Sequence, residues 1–137
     1  MKTFFDSSAF AKRYIQEPGS AAVEDLCQGS QRLALCVLCV PEILSALNRK
    51  VREKSLTLAH YLMIKEQLLA DIRDAEIVNL TEEVVAYSAM ALEQNPLRAM
   101  DALHVAAAKA WGAELFVTAD KVQGRAAHRI GLKPQLI

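Results

Sequence analysis

The chain has 137 residues, 53% of them hydrophobic and 23% charged, which excludes a disordered or fibrous protein and provides for a real core. Lys and Arg together number 16, as do Asp and Glu, so the formal net charge is zero. That balance excludes a general cationic coat for nucleic acid, and any contact with nucleic acid has to use local patches.

No apolar run is long enough to cross a bilayer; the longest lies between Leu33 and Pro41. The opening Met1-Lys2-Thr3-Phe4-Phe5-Asp6 lacks the apolar stretch of a secretion signal, and the three cysteines are an odd number. Both features lead us to expect a cytoplasmic protein with reduced thiols. No repeat, biased tract or Pro/Gly-rich linker divides the chain, so a single domain over residues 1–137 is expected.

In chain order, Lys2–Phe5 reads as a short strand and Ser7–Ile15 as helical. Ser20–Gln28 reads as a second helix, with Gly29 placed to stop it. Leu33–Val37 is an apolar strand, and Pro41, which has no N–H to leave unpaired, suits the first turn of a helix running to about Glu53. Thr57 is placed to cap the next helix, where Leu58, Tyr61, Leu62, Leu68, Leu69 and Ile72 suggest one apolar stripe, either core or a dimer seam. Glu76–Leu80 reads as a brief strand, and Thr81 with Glu82 and Glu83 as a helix start with acids at its positive end. Ala99–Trp111 is apolar nearly all round and rich in alanine, which predicts a buried helix ended by Gly112. Glu114–Thr118 is a strand, helix follows Asp120, and Pro134–Ile137 adds a last strand. This alternation predicts an α/β fold with a mainly parallel sheet covered on both faces.

In such folds sites form beyond the carboxyl ends of the strands, near a switch in strand order. Asp6 follows the first strand, Asp120 follows Leu115–Thr118, and Glu42 lies in a first helical turn just after the second strand. Asp101 stands near the start of the alanine-rich helix, where an ionised carboxylate is costly unless a cation or strong donors meet it. Each acid also has an ordinary reading. Asp6 and Asp120 can cap the helices that follow them, Glu42 can complement a helix dipole, and Asp101 can pair with Arg98 or His104 one turn away. Gathered at one sheet edge, hard oxygen ligands suit Mg²⁺ or Mn²⁺.

Four segments carry a family resemblance. Asp6-Ser7-Ser8-Ala9-Phe10-Ala11-Lys12, with Glu17-Pro18-Gly19-Ser20 after it, resembles the opening of VapC-type PIN domains. Pro41-Glu42-Ile43 with Ala46-Leu47, then Arg98-Ala99-Met100-Asp101-Ala102-Leu103-His104-Val105-Ala106, resemble that family's second and third acidic motifs. Thr118-Ala119-Asp120, with Ala126-Ala127 and Gly131, resembles the fourth, so the likeness spans nearly the whole chain. It implies an α/β/α sandwich and hydrolysis of RNA phosphodiester bonds at a divalent-metal site. By this likeness Asp6 and Asp101 are the main metal ligands, and Asp120 and Glu42 complete the set. Ser7 and Thr118 would orient carboxylates or touch a phosphate oxygen, against an ordinary role as turn and cap hydroxyls. The likeness further implies the toxin of a toxin–antitoxin pair, a homodimer neutralised by a small antitoxin.

Other features have plainer readings. Cys36 and Cys39 lack a second Cys or Cys/His pair and read as buried small hydrophobes, and His104 reads as either a site-tuning or a structural histidine. Two basic runs, Arg49–Lys54 and Lys121–Lys133, suit either solvation or phosphate binding, the second beside the acids. Two other functions compete. A haloacid-dehalogenase-like phosphatase using Asp6 as nucleophile would want a carboxylate where Ser8 stands, and a non-catalytic binding module could retain the PIN fold.

Overall fold

The computed structural model describes all of residues 1–137 and contains one five-stranded sheet. Its strands are β1 (Lys2–Phe5), β2 (Arg32–Cys36), β3 (Glu76–Val78), β4 (Leu115–Thr118) and β5 (Pro134–Leu136), in the order β3-β2-β1-β4-β5. Every neighbouring pair is parallel. The expectation of a mainly parallel sheet is met in full.

Alternate residues of each inner strand enter opposite layers, as the two-residue period of a strand requires. Phe5, Leu35, Leu115 and Val117 pack on one side with Phe10, Val23, Ile43, Leu47 and Leu68. Phe4, Ala34, Cys36 and Phe116 pack on the other with Val84, Val105, Ala106 and Ala127. The first layer is built by α1 (Ser7–Phe10), α2 (Ser20–Gly29), α3 (Cys39–Arg52) and α4 (Leu58–Arg73). The second comprises α5 (Glu82–Gln94), α6 (Ala99–Trp111) and α7 (Lys121–Arg129). The result is the three-layer α/β/α sandwich. Burying a phenylalanine such as Phe4, Phe5 or Phe116 is worth about 1.5–3 kcal/mol each, so the sheet's centre anchors both layers.

Local chemistry explains most boundaries. Thr57 and Thr81 cap α4 and α5 by accepting from the N–H groups of His60 and Val84. Pro41 lies in the first turn of α3, and Gly112 ends α6 in the left-handed conformation that a Cβ would strain. Alanines 106, 107 and 108 of α6 are wholly buried, consistent with the expected packed helix.

Four expectations need correction. Ser7–Ile15 is not one helix: a single α-turn gives way to a 3-10 turn at Ala11–Arg13. Gly29 is the last residue of α2 rather than a left-handed stop. The third strand ends at Val78, not Leu80. The supposed single stripe of α4 is two faces: Tyr61, Ile64 and Leu68 are buried, while Leu58, Leu62 and Leu69 are exposed. At 100° per residue, apolar residues this frequent wrap the helix, and packing chooses among them.

Candidate metal-dependent active site

The switch in strand order falls beside β1, since the chain leaves β1 for β2 on one side and β4 lies on the other. Phe5 is in register with Leu35 and Val117, and the N–H of Asp6 donates to the carbonyl of Val117 at 3.1 Å. The ladder thus continues one residue beyond the strand and holds Asp6 at the carboxyl edge.

Asp6 is wholly buried. Its Oδ1 accepts from the Ser8 hydroxyl at 2.7 Å and the Ala9 N–H at 2.9 Å, the latter capping α1. Its Oδ2 accepts from the Thr118 hydroxyl at 2.5 Å. Burial pushes the carboxyl above its ordinary range, against those hydrogen bonds and the nearby His104, which favour the charged form. The same two hydroxyls reach onward. Thr118 Oγ1 accepts from the Asp120 N–H and Ser8 Oγ from the Ala119 N–H, both at 3.0 Å. Asp6 and Asp120 are therefore tied through one threonine.

Glu42 stands in the first turn of α3 and accepts from the Ser7 hydroxyl at 2.9 Å. Its Oε1 also meets His104 Nε2 in a short hydrogen bond. Burial raises the Glu42 carboxyl, but the His104 hydrogen bond and charge and the Ser7 hydroxyl outweigh it and leave it below the ordinary range. An ionised carboxylate only accepts, so Nε2 is the protonated ring nitrogen facing it. The ring is buried, and its Nδ1 has no partner.

Asp101 lies in the first turn of α6 and is partly exposed. Its Oδ1 accepts from Gln123 Nε2 at 2.9 Å rather than from Arg98 or His104. Burial raises its pKa, and the charges of Asp120 and Glu42 add to that, opposed by His104 and Arg98. Asp120 caps α7, its Oδ1 accepting from the N–H groups of Val122 at 2.8 Å and Gln123 at 3.3 Å.

Three of the ordinary readings are met: Asp6 and Asp120 are helix caps, and Glu42 stands at the positive end of α3. The pairing foreseen for Asp101 does not occur. Ser7 and Thr118 donate to the carboxylates of Glu42 and Asp6, and His104 is bound to Glu42. Ser8 and Gln123 also hydrogen-bond these acids; Ser8 lies within the first of the four resembling segments, whereas no sequence pattern marks Gln123. Cys36 and Cys39 are buried free thiols, as expected.

No group of three His, Cys, Asp or Glu side chains is arranged as a ready cage for a metal ion. The donor set nevertheless fits a hard cation of the Mg²⁺ kind, which keeps several waters and needs only one or two carboxylates. Asp6 and Asp101 are both biased against carrying charge, and the buried Gln123 Oε1 has no protein donor. A nearby cation relieves the first, and its waters can satisfy the second.

A parallel α/β sandwich with carboxylates crowded at its switch point defines a class of domain with an acidic site. A sequence model of the PIN domain matches residues 3–129, and the chain belongs to that family. It is 32% identical over 135 residues to Ribonuclease VapC45 of Mycobacterium tuberculosis (strain CDC 1551 / Oshkosh), covering 95% of this chain and 92% of the relative. The same figures hold for Ribonuclease VapC49 of Mycobacterium tuberculosis (strain ATCC 25618 / H37Rv). Among solved structures, VapBC2 from Rickettsia felis bound to a promoter DNA fragment superposes with a TM-score of 0.71 at 14% identity, covering 100% of this chain and 99% of that one. The sarcin-ricin-loop-cleaving toxin VapC20 of Mycobacterium tuberculosis gives 0.66 at 16% identity, covering 90% and 94%. At such identities these superpositions establish the fold.

Proposed function

We propose that this chain is a divalent-metal-dependent endoribonuclease and the toxin of a type II toxin–antitoxin pair, acting in the cytoplasm as a single PIN domain. The observation that carries the reading is the meeting of Asp101, a carboxylate in an alanine-rich helix, with Asp120 at Gln123, whose side chain donates to Asp101 Oδ1 at 2.9 Å and whose backbone N–H donates to Asp120 Oδ1 at 3.3 Å. Such crowding costs stability and is compensated when a cation binds. The ribonuclease names of the relatives supply the reaction class.

In this reading Asp101 and Asp6 hold Mg²⁺ or Mn²⁺, with Asp120 and Glu42 completing the set. When bound, the ion polarises the scissile phosphate and lowers the pKa of water for in-line attack. The chain's own residues prepare that site. Thr118 and Ser8 fix both oxygens of Asp6. Ser7 and His104 fix Glu42, and Gln123 fixes Asp101. Asp6 has no exposed surface, so phosphate reaches the site from the more open side of Asp101 and Glu42.

RNA has an adjoining cationic surface. Lys121, Arg125, His128 and Arg129 line a cleft of about 570 Å³ with Pro134 and Leu136, along α7, which Asp120 caps. Lys121 and Arg125 are not in ion pairs, which leaves them available to phosphates, whereas Arg129 donates to the Gln94 carbonyl and Asn95 Oδ1. The phosphatase alternative is disfavoured because the place where that chemistry wants a second carboxylate is held by Ser8, whose hydroxyl donates to Asp6 Oδ1. A small antitoxin can enter the acidic cleft with an arginine, for which a carboxylate is a strong bidentate partner. The exposed Leu58, Leu62, Met63 and Leu69 of α4 suit the homodimer.

The test is RNA cleavage by purified protein with Mg²⁺ or Mn²⁺, together with growth arrest on expression that a co-expressed antitoxin relieves. Cleavage that persists undiminished in EDTA contradicts the metal-dependent reading.

A further inference from the structure

Gln123 is 3% exposed and lies in a helix whose other buried residues are small. A buried carboxamide is costly unless its donors and acceptor are used. Here Nε2 donates to Asp101 Oδ1 at 2.9 Å, and the backbone N–H of the same residue donates to Asp120 Oδ1 at 3.3 Å. The carbonyl Oε1 is buried without a protein donor. One residue therefore holds a carboxylate on α6 and a carboxylate at the start of α7.

We propose that Gln123 is the positioning residue of the site: its carboxamide sets the rotation of Asp101, and its backbone fixes Asp120 relative to it. This deepens the metal-dependent reading and rests on it. The chemistry follows from the donor. An amide N–H takes one oxygen of Asp101 and thereby directs the other, while adding no charge that would compete with a cation. A lysine or arginine in its place would neutralise the acid, and a hydrophobe would leave it free to rotate. With Nε2 committed to Asp101, Oε1 is the remaining acceptor, suited to a water carried by the ion. Partners that orient metal-binding carboxylates in this way are typically worth about 10–100-fold in affinity or activity.

The closest apolar match in length and flexibility is methionine, so Gln123→Met removes both polar atoms while filling the same space. Manganese affinity of the metal-free protein is measured by titration calorimetry, alongside kcat and KM for RNA, with circular dichroism to verify folding. We expect Mn²⁺ affinity to fall about 10-fold or more and kcat to fall with it while KM for RNA stays within about twofold. Asp101→Asn and the double variant complete a cycle. If Gln123 acts through Asp101, the double variant binds Mn²⁺ no worse than Asp101→Asn alone, whereas independent effects would multiply. Should the methionine variant not fold, Gln123→Leu carries the same expectations. Wild-type protein that binds no Mn²⁺ would overturn the metal-site reading itself. Wild-type binding that Gln123→Met leaves within about twofold, or effects that multiply in the double variant, would overturn the role of Gln123 alone.

Discussion

Replacing Asp101 with asparagine removes one negative charge and almost no volume, and Asn Oδ1 can still accept from Gln123 Nε2. What changes is the repulsion from Asp120 and Glu42 and the cost of partial burial. Gln123 touches both Asp101 and Asp120, and two like charges about 4 Å apart repel by about 4 kcal/mol at an effective dielectric near 20 and about 1 kcal/mol in water, less at greater separation. Asp101 is partly exposed, so screening brings the net gain to about 1 kcal/mol. For a chain of 137 residues that corresponds to a rise in Tm of about 3–4 °C in EDTA. The folded-state pKa of Asp101 is raised, so its charge costs stability above that pKa. The advantage of the variant is therefore full at neutral pH. It fades as pH falls through the raised value and is gone below the unfolded value near 3.9. Thermal unfolding by circular dichroism, with EDTA and then with Mn²⁺, measures all of this. Added Mn²⁺ should stabilise the wild type more than the variant. A variant that melts lower in EDTA, and gains as much from Mn²⁺ as the wild type, would refute the crowding argument.

Three shorter predictions concern the rest of the site and its surroundings. Thr118→Val deprives Asp6 of a donor and the Asp120 N–H of its acceptor, and should cost about 1–3 kcal/mol in urea unfolding, with Thr118→Ser recovering most of it. Lys121→Glu with Arg125→Glu should weaken RNA binding in EDTA and make it less salt-dependent, reducing the log–log slope by about one for each phosphate no longer neutralised; an unchanged slope would remove this face from the RNA path. Leu62→Ser with Met63→Ser should shift the chain from dimer to monomer in sedimentation velocity while its Tm changes little at low concentration, because both side chains are more than half exposed.

The fold was largely legible because its signals are local. Lys2–Phe5, Leu115–Thr118 and their following aspartates combine an apolar run with a polar stop, and the caps Thr57 and Thr81 and the terminator Gly112 act within a turn of their own residues. The split face of α4 was not legible, since leucines lie on both sides and only packing against β-strands distinguishes Leu68 from Leu62. At the site, the acids could be named because a charge stands out in an apolar segment. Their partners could not. Ser8 and Gln123 are ordinary polar residues, and the bonds Gln123–Asp101 and His104–Glu42 join positions 22 and 62 residues apart, which only the folded chain brings together. The reading of Asp101 as a partner of Arg98 or His104 looked one turn along its own helix, whereas its partner came from α7.

The most direct test of the central claim is cleavage of RNA by wild-type protein and by Asp101→Asn, purified identically and compared with Mg²⁺, with Mn²⁺ and with EDTA. The wild type should cut with either ion and stop in EDTA, and Asp101→Asn should cut at least about 100-fold more slowly than the wild type with either ion while remaining folded. Cleavage by Asp101→Asn at the wild-type rate, in protein free of contaminating nuclease, would contradict the account.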